Sequence, residues 1–322
     1  MIAVVKPAWS KPSTILFAAE MPAHEKAFGF ALAQAVDFGA ELVIFHAYDS
    51  AEMHALVTFE TRSTDFTHSR TEKRRFEPLA ERAADLGIHC KIVLRQGPAA
   101  PQILAFLRER KVDRIVMGAH SPGPIGKLLV GSVAEAVLRS ANAPVCIVGP
   151  NVVEGTFRNS VTRNILCDVS KRETSRMVAS FGAELAARHN ANLILQQVIP
   201  PQERADWLAG RTLAQVEAQL PSLVPPRLRN IVSVQARVVL GDPAEEMLYG
   251  GRSCQANLIV VGAQGASYFA AITRAASVYK ALAYAHCPVM TLSPVLLAGC
   301  IPKGLRQEIL HQPEVNFMAG VV

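Results

Sequence analysis

The sequence predicts an α/β protein made of two tandem doubly wound domains, each with a five-stranded parallel sheet, packed together as an internal pseudo-dimer. Two observations lead there. First, the chain repeats itself. GPAAPQILAFLRERKVDRIVMGAHS from Gly97 aligns with GDPAEEMLYGGRSCQANLIVVGAQG from Gly241 at an offset of 144, which holds as far as Pro144 and Pro288. Upstream, TILFAAE at Thr14 lies over NILCDVS at Asn164 (offset 150), and AELVIFHA at Ala40 lies over ANLILQQV at Ala191 (offset 151). Such a period is far too long for a solenoid repeat and suits a whole domain. Second, short β-branched runs alternate with amphipathic helical runs, the pattern of βαβ units in a parallel sheet with helices on both faces.

The elements follow in order. Thr14–Ala19 is read as a strand, and His24–Phe38 as a helix with apolar residues at Phe28, Ala31, Leu32, Ala35 and Val36. Strand Leu42–Ala47, helix Phe76–Leu86 closed by Gly87, strand Lys91–Leu94, helix Pro101–Arg110 and strand Arg114–Met117 come next. Helix Ser132–Ala141 and strand Val145–Val148 end the first half. The second half repeats the scheme with strand Ile165–Cys167, helix Thr174–Arg188, strands Leu193–Val198, Ala236–Leu240 and Leu258–Val261, helix Ser277–Ala285 and strand Val289–Leu292. The proline-rich connection 200–229 is expected to hold one helix, Arg204 to Leu220. These readings divide the chain at 1–150, 151–294 and a tail, 295–322.

Composition narrows the function. Half the residues are hydrophobic and 19% charged, which suits a globular chain. No apolar run reaches the 18 or so residues of a spanning helix, and the N-terminal stretch has no signal-peptide core, so a cytoplasmic protein without a membrane partner is expected. The net charge is +6, and its densest cluster, Arg70, Lys73, Arg74 and Arg75, reads as a solvated helix face; no nucleic-acid partner is expected. The six cysteines form no Cys-x-x-Cys pair, and no histidine cluster has metal-ligand spacing; they read as free thiols of a reducing compartment, and no metal is expected. His46 reads as a core or edge residue, and Asp168 and Asp242 as turn formers. Glu20 and His24 lack a companion nucleophile, so no catalytic residue is assigned.

The glycine pattern is the chemical signal. GAHSPGPIGKLLVGSVAEAV contains Gly118, two residues, Ser121, nine residues, then Gly131-Ser132. This resembles the nucleotide motif of the universal stress protein family: Gly, two residues, Gly, nine residues, Gly, then Ser or Thr. DRIVMGAH before it, NAPVCIVGP after it, ILFAAE and GAELVIFHA resemble that family too, over roughly residues 13–150 and 163–294. The resemblance implies a stress-response regulator with an ATP or other adenine-nucleotide site in the first half. Ala19, Glu20, Ala47, Met117 and Gly118 would sit at strand ends, and His120, Ser121, Gly131, Ser132 and Val133 along the loop and helix start. Glycines admit phosphate oxygens to the backbone N–H groups, and a helix N-terminus favours the anion. Ser132-x-x-Glu135 is equally a capping box, which would only start the helix.

The sequence departs from the family pattern at three places. Ser121 stands where the family has its second glycine, and Pro122 pushes it towards extended backbone. Glu20 replaces the family's first-strand Asp. The second half keeps Gly262 and Gly265 but has Ala275-Ala276 opposite Gly131-Ser132, and Ser170 opposite Glu20, so it should hold no triphosphate in the family's way. Two readings stay open beside nucleotide regulation: a nucleotide-free scaffold for an unknown protein partner, and at most a weak ATPase. A homodimer of the whole chain is left open.

Overall fold

The computed structural model describes residues 11–20, 25–48, 64–119, 131–157, 162–170, 172–262, 282–293 and 296, with side chains omitted at 64–70, 172–173 and 207. The first half runs β1 (Thr14–Ala18), α1 (Glu25–Phe38), β2 (Glu41–Tyr48), α2 (Thr64–Asp85), β3 (Cys90–Gln96), α3 (Ala99–Glu109), β4 (Arg114–Gly118), α4 (Ser132–Ser140) and β5 (Val145–Val148). The second runs β6 (Asn164–Asp168), α5 (Arg172–His189), β7 (Asn192–Ile199), α6 (Arg204–Leu208), α7 (Leu213–Gln219), β8 (Ser233–Leu240), α8 (Pro243–Ser253), β9 (Leu258–Gly262) and β10 (Val289–Leu292).

Ten strands among the described residues form one sheet in the order β3-β2-β1-β4-β5-β10-β9-β6-β7-β8. Pairing is parallel within each half. β5 and β10 pair antiparallel, with Met290 opposite Cys146. These two residues are 144 apart, so each is the other's repeat equivalent. The seam therefore lies on a local two-fold axis, as the repeat predicts. β5 and β10 are buried along their whole length, which is why VCIV and VMTL carry no polar alternation. Two apolar clusters cover the faces and cross the seam. One packs α1 and α5 around Phe17, Phe28, Phe181 and Leu193; the other packs α3, α4 and α8 around Phe45, Phe106, Val137 and Ile259.

The last turns of α1 and α5 also meet. Their C-terminal caps are left-handed, Gly39 at φ +61° and Asn190 at φ +50°, and these are repeat equivalents. Phe38 meets its equivalent His189 edge-on, with centroids 5.8 Å apart. Arg114 and Arg188 guanidinium carbons lie 4.8 and 4.6 Å from the Phe38 ring centroid. Arg188 also donates to the Asp37 carbonyl at 3.1 Å, and His189 Nε2 lies 3.3 Å from Asp37 Oδ2. Arg114 is fully buried and donates to Gln34; burial brings its guanidinium down to about 10.

Three expectations need correction. The single helix expected over 204–220 is two, because the chain turns left-handed at Ala209 (φ +44°) and Gly210 (φ +80°). α2 begins twelve residues before the expected Phe76. α8 was not expected at all; its glycine pair, Gly250-Gly251, hides a helix that Asp242 starts by accepting from Ala244 and Glu245 N–H.

Truncating Phe38 to Ala removes the ring beneath both guanidiniums and His189. It should cost about 3–5 kcal/mol, read as a lower urea midpoint with unchanged slope. pH provides a second check. Burial pushes the His189 imidazole down; Asp37 opposes this, while Arg188 and Arg114 reinforce it. The unfolded chain then takes up a proton near pH 6.5 while the folded chain resists, so stability present above about pH 6.5 is lost as pH falls towards the lowered folded value. Thermal midpoints between about pH 7.5 and about pH 5 should drop less steeply in His189→Gln than in wild type. His286, lowered by its own burial, leaves a residual slope of the same sign.

Candidate functional site

In the first half the strand order reverses between β1 and β4. β1 is followed by β2 on one side, and β3 connects to β4 on the other. A crevice at the carboxyl ends of strands is where open α/β sheets bind ligands. The register sets Ala18 level with Phe45 and Met117, so Ala19, Ala47 and Gly118 come together along that edge. Ala19 N–H donates to the Phe45 carbonyl at 2.8 Å, which holds the chain in line with the sheet up to Glu20. Ala19 and Met117 are buried, while Glu20 is exposed. His120 and Ser121 lie outside the described residues, as do Gly265, Ala275 and Ala276 of the second half.

α4 brings the other group. It connects parallel neighbours β4 and β5, so it runs back against the strands and its N-terminus lies at their carboxyl edge. The N-cap is Gly131 (φ −53°, ψ 152°), and among the described residues no side chain caps the helix. Glu135 N–H bonds the Gly131 carbonyl at 3.0 Å, and the Glu135 carboxylate pairs with Arg139. The capping-box reading of Ser132 and Glu135 therefore fails. Ser132 is the first helical residue, one position too late to cap, and it is exposed at the helix start. Val133 is half-buried against the core and anchors the turn.

Two residues gain roles that the sequence reading did not give them. His46 is not merely core. Its Nδ1 lies 2.9 Å from the Ala19 carbonyl, and its Nε2 lies 3.8 Å from Glu72 Oε2 on α2. A carbonyl only accepts, so Nδ1 carries the proton. Glu72, itself buried, accepts from Arg75 at 3.0 and 3.1 Å. Arg114 was passed over because a single arginine before an apolar run carries no periodic signal.

The second half's strand ends are arranged differently. A Cβ on Gly262 would stand 2.4 Å from Thr174 Cβ, so the space over this glycine is taken by the chain's own α5. Asp168 Oδ1 accepts from Ser170 N–H and hydroxyl, and the Ser170 hydroxyl accepts from Val198 N–H at 2.8 Å. Asp168 forms a turn, as expected, and Ser170 is committed to tying β6 to β7.

Among the described residues there is no group of three or more His, Cys, Asp or Glu that could hold a metal, and no helix long and apolar enough to cross a membrane. Cys90, Cys146, Cys167, Cys254 and Cys287 are free thiols. Burial pushes all five up, Cys90 to about 11, so thiolate chemistry is suppressed.

The model of the Universal stress protein family matches residues 12–149 and again 162–293. A Thermus aquaticus universal stress protein is 34% identical over 137 residues, 42% of this chain and 97% of its own length. The Mycobacterium tuberculosis universal stress protein Rv2623 is 26% identical over 200 residues, which cover 60% of this chain and 64% of that protein. A universal stress protein structure from Archaeoglobus fulgidus aligns with 88% of this chain and 97% of its own at a TM-score of 0.67 and 17% identity, a likeness of fold. Two matched halves, joined in one sheet about a local two-fold axis, make this chain a tandem member of the universal stress protein family.

Proposed function

We propose that this protein is a stress-response regulator whose first half, residues 1–150, binds ATP or another adenine nucleotide, while the second, 151–294, serves as its built-in dimer partner. The observation that carries this is the start of α4. Gly131 takes the N-cap without a side-chain bond, and Ser132 opens the first turn, whose N–H groups have no partner within the helix, at the carboxyl edge of the strands. A helix start of that kind favours a phosphate, and a hydroxyl released from capping adds a donor. Ala19, Glu20, Ala47, Met117 and Gly118 would line the adenosine end, with His120 and Ser121 on the loop between. The tail, 295–322, has no role in this reading. Ligand-dependent change in the loop and α4 is the regulatory output, with an unidentified protein partner as its reader; hydrolysis is not required.

Titration of ATP into the purified chain tests it. Wild type should bind one equivalent. Ser132→Ala should weaken binding by about 1–3 kcal/mol, the value of a hydrogen bond to a charged group, and Gly131→Val should abolish it. Ser121→Gly combined with replacement of Pro122 should tighten it, because the family pattern is then restored. A wild type that binds no ATP sinks the nucleotide reading and leaves a scaffold with vestigial sites.

A further inference from the structure

We propose that His46, held by Glu72, is a positioning residue for the first-half site: it fixes the carbonyl of Ala19 and thereby the direction in which Glu20 leaves β1. This inference rests on the nucleotide reading of that site. Beyond Ala18 the chain leaves the β1–β4 register, so its carbonyls lose their ladder partners at the point where a ligand needs a rigid wall. The Ala19 carbonyl is satisfied instead by His46 Nδ1 at 2.9 Å.

The imidazole is itself immobilised from three sides. β2 carries it beside Ala47, Phe76 packs tilted against it at 4.9 Å between centroids, and Glu72 stands 3.8 Å beyond Nε2. Glu72 is anchored in turn by Arg75. A chain of contacts thus runs from α2 through β2 to the last buried residue of β1.

The second half supplies an internal comparison. At the offset of 151, His46 lies over Gln197. Gln197 is 4% exposed, and its Nε2 has no hydrogen-bond partner among the described residues. The helix ahead of β8 spends its carboxylate elsewhere: Glu217 accepts from Val238 N–H at 2.9 Å. The clamp is therefore present in the half that keeps Gly131-Ser132 and missing from the half that has lost them. Two features far apart in sequence vary together, and both touch the same strand edge.

The experiment titrates ATP by calorimetry into wild type, His46→Leu, His46→Asn and Glu72→Gln, with thermal midpoints recorded for each. Asn sets an amide N–H where imidazole Nδ1 stands, so it can keep the bond to Ala19. His46→Leu should bind ATP about tenfold more weakly, the loss of one well-placed hydrogen bond, and His46→Asn should recover most of it. In ligand-free protein, hydrogen exchange of the peptide spanning Ala19 and Glu20 should quicken in His46→Leu and return in His46→Asn, while peptides of β5 and β10 stay unchanged. If affinity follows the thermal midpoint in every variant and Asn rescues nothing, the role is structural and the inference is wrong. Equal ATP affinity in wild type and His46→Leu overturns it as well. A wild type that binds no ATP defeats the nucleotide reading, a separate result, and this inference with it.

Discussion

The antiparallel pairing of β5 with β10 is the contact on which the rest of the molecule depends. Each is the last strand of its half, short and buried on both faces. Left alone, each would be an apolar edge open to any passing strand. Joining them removes both edges at once and leaves β3 and β8 as the outer strands. Those are the strands built to be edges. They are half-exposed and charged, with Lys91 and Arg95 on β3 and Arg237 on β8. Lys91 and Arg95 are held by Glu41 and Glu109, and an N–H of β8 is covered by Glu217. Further bonds cross the seam: Thr291 Oγ1 to the Val145 carbonyl at 3.0 Å and Ser293 Oγ to the Ala141 carbonyl at 2.7 Å.

Placing both copies in one chain frees them to differ across that axis. In a dimer of identical chains, a residue on the two-fold axis meets its own kind. Here the last turns of α1 and α5 meet as Asp37-Phe38 against Arg188-His189, a complementary set that no symmetric dimer could present. The cores have drifted as well. Phe45 packs against Phe106 at 5.3 Å in the first half. Their equivalents are Gln196 and Gly250, and a Cβ on Gly250 would stand 2.0 Å from the Gln196 side-chain oxygen. Two rings have become one amide and a gap for it, at the known cost of a glycine within a helix. Gln196 donates to the Glu246 carbonyl at 2.9 Å, and this ties α8 to β7 in place of the aromatic contact.

Legibility in the sequence followed the range of the physics. β5 and β10 were readable to the residue, because each is a short, largely apolar run that follows a proline and ends at a glycine or at Ser293-Pro294. The doubling of the fold was readable because the offset is rigid over long stretches. α2 began earlier than expected because TDFTHSRTEKRR carries no apolar stripe. Nothing in VDF or ARH says that they touch; only the axis brings them together. Likewise, Gly131 and Ser132 were legible as a motif, but which of them caps α4 depended on one residue of helix phase. His46 was legible only as a polar residue in a strand, since its partners lie 27 and 26 residues away on elements that the fold alone assembles.

The antiparallel seam also sets where the sites can look. All first-half strands point one way and all second-half strands the other, so their carboxyl edges open on opposite sides of the sheet. No single small ligand can bridge them, and each half must keep or lose its site by itself. One helix nevertheless reaches from the first site to the second half. α4 runs from its N-cap, Gly131, beside the strand ends to its C-cap, Ala141, ten residues later, whose carbonyl is held by Ser293 just past β10. That span is roughly 15 Å at 1.5 Å per residue. On the proposed reading, a displacement at the N-terminal end of α4 would reach the partner half through one helix and one hydrogen bond, without breaking the sheet on which both halves depend.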